Sequence, residues 1–304
     1  MLNFVLLLVG FIMLIKGSDV FVDSASSIAK KFKIPSIIIG MTIVAMGTSA
    51  PEFAVSITSS LAGMNDMSIA NVVGSNIFNL LVVLGVSSLF NKLKINNYRD
   101  VFVLLGSSML LLISLIDGSL SIFNGVILLI TFASFIFDMI KSAKNNNNNE
   151  ATEQTNKPLW LTIIFGILGL TAIVWGGDLV VNSASVIASQ FGMSENLIGL
   201  TIVAVGTSLP ELVTSVMATK KGELDIAVGN VIGSNIFNIL LILGCASVIN
   251  PMVVSTVALM DIIFVVTTIA LFILATYKNK EINKTLGIPM ILVYVFYIII
   301  TIIR

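Results

Sequence analysis

No histidine occurs anywhere in the 304 residues. That excludes imidazole-ligated metal sites and every catalytic arrangement that relies on an imidazole acid or base. There is one cysteine, Cys245, so no intrachain disulfide can form, and its simplest role is packing. Charge is also scarce. Only 11% of residues are charged, 16 basic against 16 acidic, with no basic patch of the kind that binds nucleic acid. What fills the chain instead is apolar: 57% hydrophobic residues and a mean hydropathy of +1.06, too apolar for a soluble domain. Apolar runs of bilayer-spanning length recur, which predicts an all-α integral membrane protein in contact with lipid along most of its length.

Ten spans are expected, at 2–25, 35–62, 68–90, 101–117, 120–140, 159–182, 194–218, 225–248, 253–276 and 285–303. The basic residues between them are distributed unevenly. Lys30, Lys31 and Lys33 follow the first span, Lys92, Lys94 and Arg99 the third, and Lys141, Lys144 and Lys157 the fifth. Lys220 and Lys221 follow the seventh, and Lys278, Lys280 and Lys284 the ninth. The intervening loops carry almost none. By the positive-inside rule the basic loops face the cytoplasm, which puts both termini outside. The segment 141–158 contains five consecutive asparagines, Asn145 to Asn149, and reads as a flexible cytoplasmic linker between two halves. The apolar start, Leu2 to Ile15, resembles a signal peptide, but Gly17-Ser18-Asp19-Val20 has a counterpart at Gly176-Gly177-Asp178-Leu179. It is therefore expected to be retained as part of a repeat.

That repeat runs through the whole chain. Gly47-Thr48-Ser49-Ala50-Pro51-Glu52 is matched by Gly206-Thr207-Ser208-Leu209-Pro210-Glu211, and Gly74-Ser75-Asn76-Ile77-Phe78-Asn79 by Gly233-Ser234-Asn235-Ile236-Phe237-Asn238, always 159 positions on. A five-span unit is duplicated, as 1–140 and 159–304, with its motif blocks at 40–85 and 199–244. Because five is odd, Glu52 and Glu211 lie on spans of opposite direction. The halves are then inverted repeats, the architecture of an alternating-access transporter with its site near the midplane. Gly and Pro interrupt both motif spans, which predicts broken core helices lining a polar cavity.

An ionised carboxylate near mid-bilayer costs at least about 2.5–3.5 kcal/mol, and two of them repel each other. Neither motif contains a Lys or Arg, so the missing positive charge is read as a bound ion. The available ligands are oxygens: the carboxylates of Glu52 and Glu211, the hydroxyls of Thr48, Ser49, Ser75, Thr207, Ser208 and Ser234, and the amides of Asn79 and Asn238. Hard cations prefer such sets, and Ca²⁺ takes roughly 6–8 oxygens in flexible geometry. Two carboxylates balance one divalent or two monovalent cations. The competing reading is a hydrogen-bonded network that only staples helices.

The paired GTSxPE and GSNIFN blocks resemble the α-repeats of the sodium/calcium exchanger branch of the cation/calcium exchanger superfamily, in its compact prokaryotic form. The resemblance implies a ten-span antiporter without cofactor, transporting Na⁺ and Ca²⁺ and needing no obligatory protein partner. It implies Glu52 and Glu211 as central ligands, with oxygens from Thr48, Ser49, Ser75, Asn79, Thr207, Ser208, Ser234 and Asn238 and the carbonyls of Ala45 and Ala204. It also implies that the first and sixth spans slide across the core. Asn238 departs from relatives that carry Asp there, some of them potassium-dependent, so the site holds −2 rather than −3. Na⁺-driven, electrogenic Ca²⁺ export across a prokaryotic cytoplasmic membrane is the expected activity. Proton-coupled Ca²⁺ exchange is the alternative, and a cation channel the competing class. A hydrolase is disfavoured by the absence of histidine and of a Ser-Lys pair. Asp19 and Asp178 are also paired by the repeat. They are expected near helix ends or holding the sliding spans, with Lys16 placed to meet Asp19 on one helix face.

Overall fold

A computed structural model describes residues 2–145, 158–192 and 204–303. They form helices joined by short loops. In the first half these are α1 (Leu2–Phe32), α2 (Ser36–Ile39), a π segment (Gly40–Val44), α3 (Ala45–Thr48), α4 (Ala50–Leu61) and α5 (Asn65–Phe78). A second π segment (Asn79–Val83), α6 (Leu84–Phe90), α7 (Tyr98–Ser114) and α8 (Ile122–Asn145) follow. The second half comprises α9 (Leu159–Gln190), α10 (Ala204–Gly206), α11 (Leu209–Lys220) and α12 (Leu224–Phe237), then a third π segment (Asn238–Ile242), α13 (Leu243–Ile249), α14 (Thr256–Thr276) and α15 (Lys284–Ile303).

Seven of the described helices are long and apolar enough to cross a membrane, and eight if the bent pair Ser36–Thr48 and Ala50–Leu61 counts as one span. The ten expected segments differ from this count in two places. α7 has 17 residues, at the lower limit of a span. The stretch 194–218 lies partly outside the described residues, as do most of the linker 141–158 and its asparagine run. The linker was expected to begin at Lys141, but α8 continues to Asn145. α1 and α9 run to Phe32 and Gln190, several residues beyond the expected ends at 25 and 182.

The expected break in the first motif span is present. The axis bends by 50° between Thr48 and Ala50, at Ser49 with φ −82° and ψ 10°. Ser208 has nearly the same backbone, φ −91° and ψ 5°. Pro51 and Pro210 fall in the first turn of α4 and α11, where a missing N–H leaves no helix bond unmade, so each proline starts a new helix. Glu52 and Glu211 occupy the same first turns, where the helix dipole favours negative charge.

α1 packs most extensively against α9, through glycines. A Cβ at Gly10 would stand 2.9 Å from the Gly176 carbonyl oxygen, and one at Gly17 would stand 2.8 Å from that of Gly169. Only glycine permits such backbone approach between helices. Gly10 and Gly169, like Gly17 and Gly176, are repeat counterparts, so the crossing is reciprocal. Two short ribbons tie the ends of the core together. Leu93–Lys94 pairs antiparallel with Glu281–Ile282, and Ser119–Leu120 with Met252–Val253. Each ribbon joins two loops that the basic-residue pattern had assigned to one face.

Lys16 is exposed and does not meet Asp19. Instead Lys221, at the end of α11, places its Nζ 2.8 Å from the Asp19 carboxylate and 2.6 Å from Asp23, and donates to the Asp19 carbonyl at 2.8 Å. Burial works against its charge, but the hydrogen bonds and charges of Asp19 and Asp23 outweigh it and raise the Lys221 pKa. Close by, Glu223 accepts from Ser26 and pairs with Lys30 at 3.5 Å. The repeat counterparts of Lys221 and Glu223 are Ala62 and Met64, so this clamp on α1 has no equivalent with those charges on α9. Lys221→Met is expected to raise amide hydrogen exchange over Asp19–Ala29 while leaving α5 unchanged. Unaltered exchange in α1 would mean the ion pairs contribute nothing there, as many exposed pairs do.

Candidate cation site

The two helix breaks bring both motifs to one buried cluster. Thr48, Ser49, Glu52, Asn79, Ser208, Glu211, Ser234 and Asn238 are fully shielded from solvent, with Ser75 and Thr207 nearly so. The hydroxyls are exchanged between halves. Ser49 donates to Glu211 Oε1 at 2.8 Å, and Ser208 donates to Glu52 Oε1 at 3.0 Å. Within each half, Ser75 donates to Glu52 Oε1 at 3.2 Å and Ser234 to Glu211 Oε1 at 3.5 Å. Ser75 and Ser208 are themselves 2.8 Å apart. The Ala45 carbonyl accepts from Thr48 at 3.3 Å and from Ser234 at 3.4 Å, so it too sits where the halves meet. Ala204 opens α10, three residues before Thr207.

Each carboxylate therefore uses one oxygen for protein hydroxyls and leaves the other free. Among the described residues, Glu52 Oε2 and Glu211 Oε2 are buried without a partner, as are both polar atoms of Asn79 and the Asn238 oxygen. No Lys or Arg is paired with either Glu among the described residues. Buried polar groups are normally satisfied, and a stapling network has no use for unpaired oxygens. Buried oxygens of hard-ligand type left unsatisfied within one cluster are suited to coordinating a cation.

Four asparagines contribute that were not among the expected ligands. Asn71 donates to the Glu52 carbonyl at 3.2 Å and to Ser56 at 2.9 Å. Its counterpart Asn230 donates to the Glu211 carbonyl at 3.5 Å and to Ser215 at 3.0 Å. Each also accepts from the opposite motif, Asn230 from Thr48 at 3.1 Å and Asn71 from Thr207 at 3.5 Å. Asn76 and Asn235 each donate to the other's backbone carbonyl, at 3.2 and 3.1 Å. Their recurrence at the 159-residue offset was the available signal. Asn79 and Asn238 both open π segments, a local widening often found at functional positions.

The family model described as "Sodium/calcium exchanger protein" matches residues 2–141 and 161–303. The chain belongs to the sodium/calcium exchanger family. Members of this family are transporters, not enzymes, with Na⁺ and Ca²⁺ as transported ions and no cofactor. The sodium/calcium exchanger MaX1 of Methanosarcina acetivorans is 34% identical, over 98% of each chain. The inner membrane protein YrbG of Escherichia coli is 38% identical over 81% of this chain and 79% of its own. The solved structure of the sodium-calcium exchanger NCX_Mj, soaked with 2.5 mM Na⁺ and 0.1 mM Ca²⁺, superposes with a TM-score of 0.87 at 32% identity, covering 98% of both chains. The fold of this exchanger-family protein is thus shared end to end with a structure determined in the presence of both ions.

Proposed function

We propose that this protein is a secondary antiporter that exchanges Na⁺ for Ca²⁺ by alternating access, using the Glu52/Glu211 cluster as one shared site. The observation that carries the reading is the pair of buried carboxylates, cross-bonded by Ser49 and Ser208, each with a free oxygen and no basic partner among the described residues. Two negative charges hold one Ca²⁺ or compete for Na⁺, so the two ions exclude each other. Glu52 and Glu211 are the central ligands. Thr48, Ser49, Ser75, Thr207, Ser208 and Ser234, the Asn79 and Asn238 amides and the Ala45 and Ala204 carbonyls complete the set.

The same reading takes the chain as ten transmembrane helices in two inverted five-helix repeats, 1–140 and 159–304. The reciprocal α1–α9 crossing and the crosswise Ser–Glu bonds support a two-fold relation. The glycine contact between α1 and α9 packs these two helices tightly on each other, as a pair that slides together against the core requires. The basic loops and the 141–158 linker are assigned to the cytoplasmic face of the cell membrane, with both termini outside. The three-for-one exchange that the family resemblance implies would set three Na⁺ against two carboxylates, a net positive load, and would make export of Ca²⁺ on the Na⁺ gradient electrogenic.

The test is Ca²⁺ uptake into proteoliposomes preloaded with Na⁺, K⁺ or choline, with and without a pH gradient. Uptake that depends on internal Na⁺ and moves charge is the expected result. Uptake driven by the proton gradient alone would replace Na⁺ with H⁺ as the coupling ion. Uptake needing no counter-ion would make the protein a channel.

A further inference from the structure

Position 238 differs from its repeat counterpart in a way that the amide hydrogen bonds explain. Asn76 donates its Nδ2 to the backbone carbonyl of Asn235 at 3.2 Å. A carbonyl only accepts, so the nitrogen of Asn76 is committed to that side and its oxygen faces Asn238. An oxygen there can be met only by a donor. Asn238 accordingly presents its Nδ2, at 3.1 Å, and turns its Oδ1 away, buried and without a partner among the described residues. The mirror arrangement is not closed in the same way. Asn235 donates to the Asn76 carbonyl at 3.1 Å, but its own oxygen and both polar atoms of Asn79 are unpartnered among the described residues.

We infer that Asn76 is a positioning and specificity-determining residue for the cation site: it fixes the Asn238 amide with its oxygen toward the transported ion and makes position 238 a neutral ligand. A free amide would present its NH₂ to the cation in half of its orientations, and the repulsion would weaken binding. An ionised carboxylate at 238 would face the Asn76 oxygen, so this chain's second repeat is built for an amide. Asn79 has no hydrogen-bond partner among the described residues, so no such bond selects which end of its amide meets the ion. The two repeats thus contribute one amide oriented by a hydrogen bond and one that is not. The inference rests on the cation-site reading above.

The experiment is a double-mutant cycle on Na⁺-dependent Ca²⁺ uptake, separating KM for Ca²⁺ from the maximal rate. Asn76→Leu removes the acceptor and is expected to raise KM roughly tenfold, the scale of one lost buried hydrogen bond. In Asn238→Leu, which no longer has an amide to orient, adding Asn76→Leu is expected to change KM no further. Asn76→Gln is the conservative rescue: it keeps an NH₂ to donate to the Asn235 carbonyl and an oxygen to accept from Asn238, so KM is expected to stay closer to the parent than in Asn76→Leu. Additive effects of the two leucine variants would overturn the inference, as would an Asn76→Gln variant no better than Asn76→Leu. Glu52→Gln and Glu211→Gln run in parallel. If they keep Na⁺-dependent exchange, the cation-site reading itself falls. If they lose it while the cycle is additive, only the role of Asn76 falls.

Discussion

Glu211→Gln is expected to abolish Na⁺-dependent Ca²⁺ uptake, by roughly 100-fold or more, in a protein that still folds. The amide keeps the volume of the side chain and an oxygen able to accept from Ser49, which bonds Glu211 Oε1 at 2.8 Å. What it removes is one of the two charges of the proposed cation site, and ligand charge count is the main lever on Ca²⁺ affinity in oxygen sites. Removing a buried, unpaired carboxylate charge also relieves desolvation and repulsion, so the fold has no reason to suffer. Glu52→Gln is expected to do the same, because Ser208 and Ser75 hold Glu52 as Ser49 and Ser234 hold Glu211. Transport is read in proteoliposomes and folding by monodispersity and thermal midpoint in detergent. Intact exchange in either variant would return the cluster to a helix staple.

The second large effect belongs to a residue that touches no ion. Gly233 begins the second GSNIFN block, and a Cβ there would lie 2.5 Å from both the Cα and the carbonyl oxygen of Met41. These are backbone atoms of the π segment Gly40–Val44, so no side-chain rotation relieves the clash. One turn earlier, a Cβ at Gly229 would stand 2.7 Å from the Ile37 carbonyl oxygen. α12 thus lies backbone-to-backbone on α2 and the π segment that leads into the Ser49 break. Gly233→Ala must push those elements apart, at a cost of about 3 kcal/mol or more. A markedly lower thermal midpoint in detergent, with loss of transport, is the expected result. Gly106→Ala is the control, since Gly106 is exposed and no described atom lies within 4 Å of its Cβ position. Equal stability of the two variants would show that α12 and the π segment are not packed as described.

Much of the site was legible because membrane chemistry makes it conspicuous. A carboxylate in an apolar span is costly, so Glu52 and Glu211 stand out without any coordinates, and their fixed offset pairs each with its neighbouring hydroxyls and asparagine. The exchange of partners was not legible. The sequence allows Ser49 to bond Glu52 on its own helix as readily as Glu211 in the other half. The choice depends on how the two breaks are oriented, which the 50° bend at Ser49 sets for the first motif. Asn71 and Asn230 escaped notice for a related reason. A single asparagine in a span is ordinarily a helix staple, and these differ only in reaching the Glu carbonyl and the opposite threonine together.

The same division holds for the whole protein. Composition alone determined a membrane-embedded helical chain, because so apolar a sequence leaves its backbone no water to bond and must satisfy it within helices. The 159-residue repeat determined that whatever Glu52 does, Glu211 does in a second copy. Tertiary structure decided the rest. It chose Lys221 rather than Lys16 for Asp19, because a loop from the other half comes closer than a neighbour along the helix. It also widened the helices into π turns at Asn79 and Asn238 and set the direction of the Asn238 amide through Asn76. Those features depend on which backbone carbonyl lies opposite which side chain, and a linear pattern of residue types carries no such information.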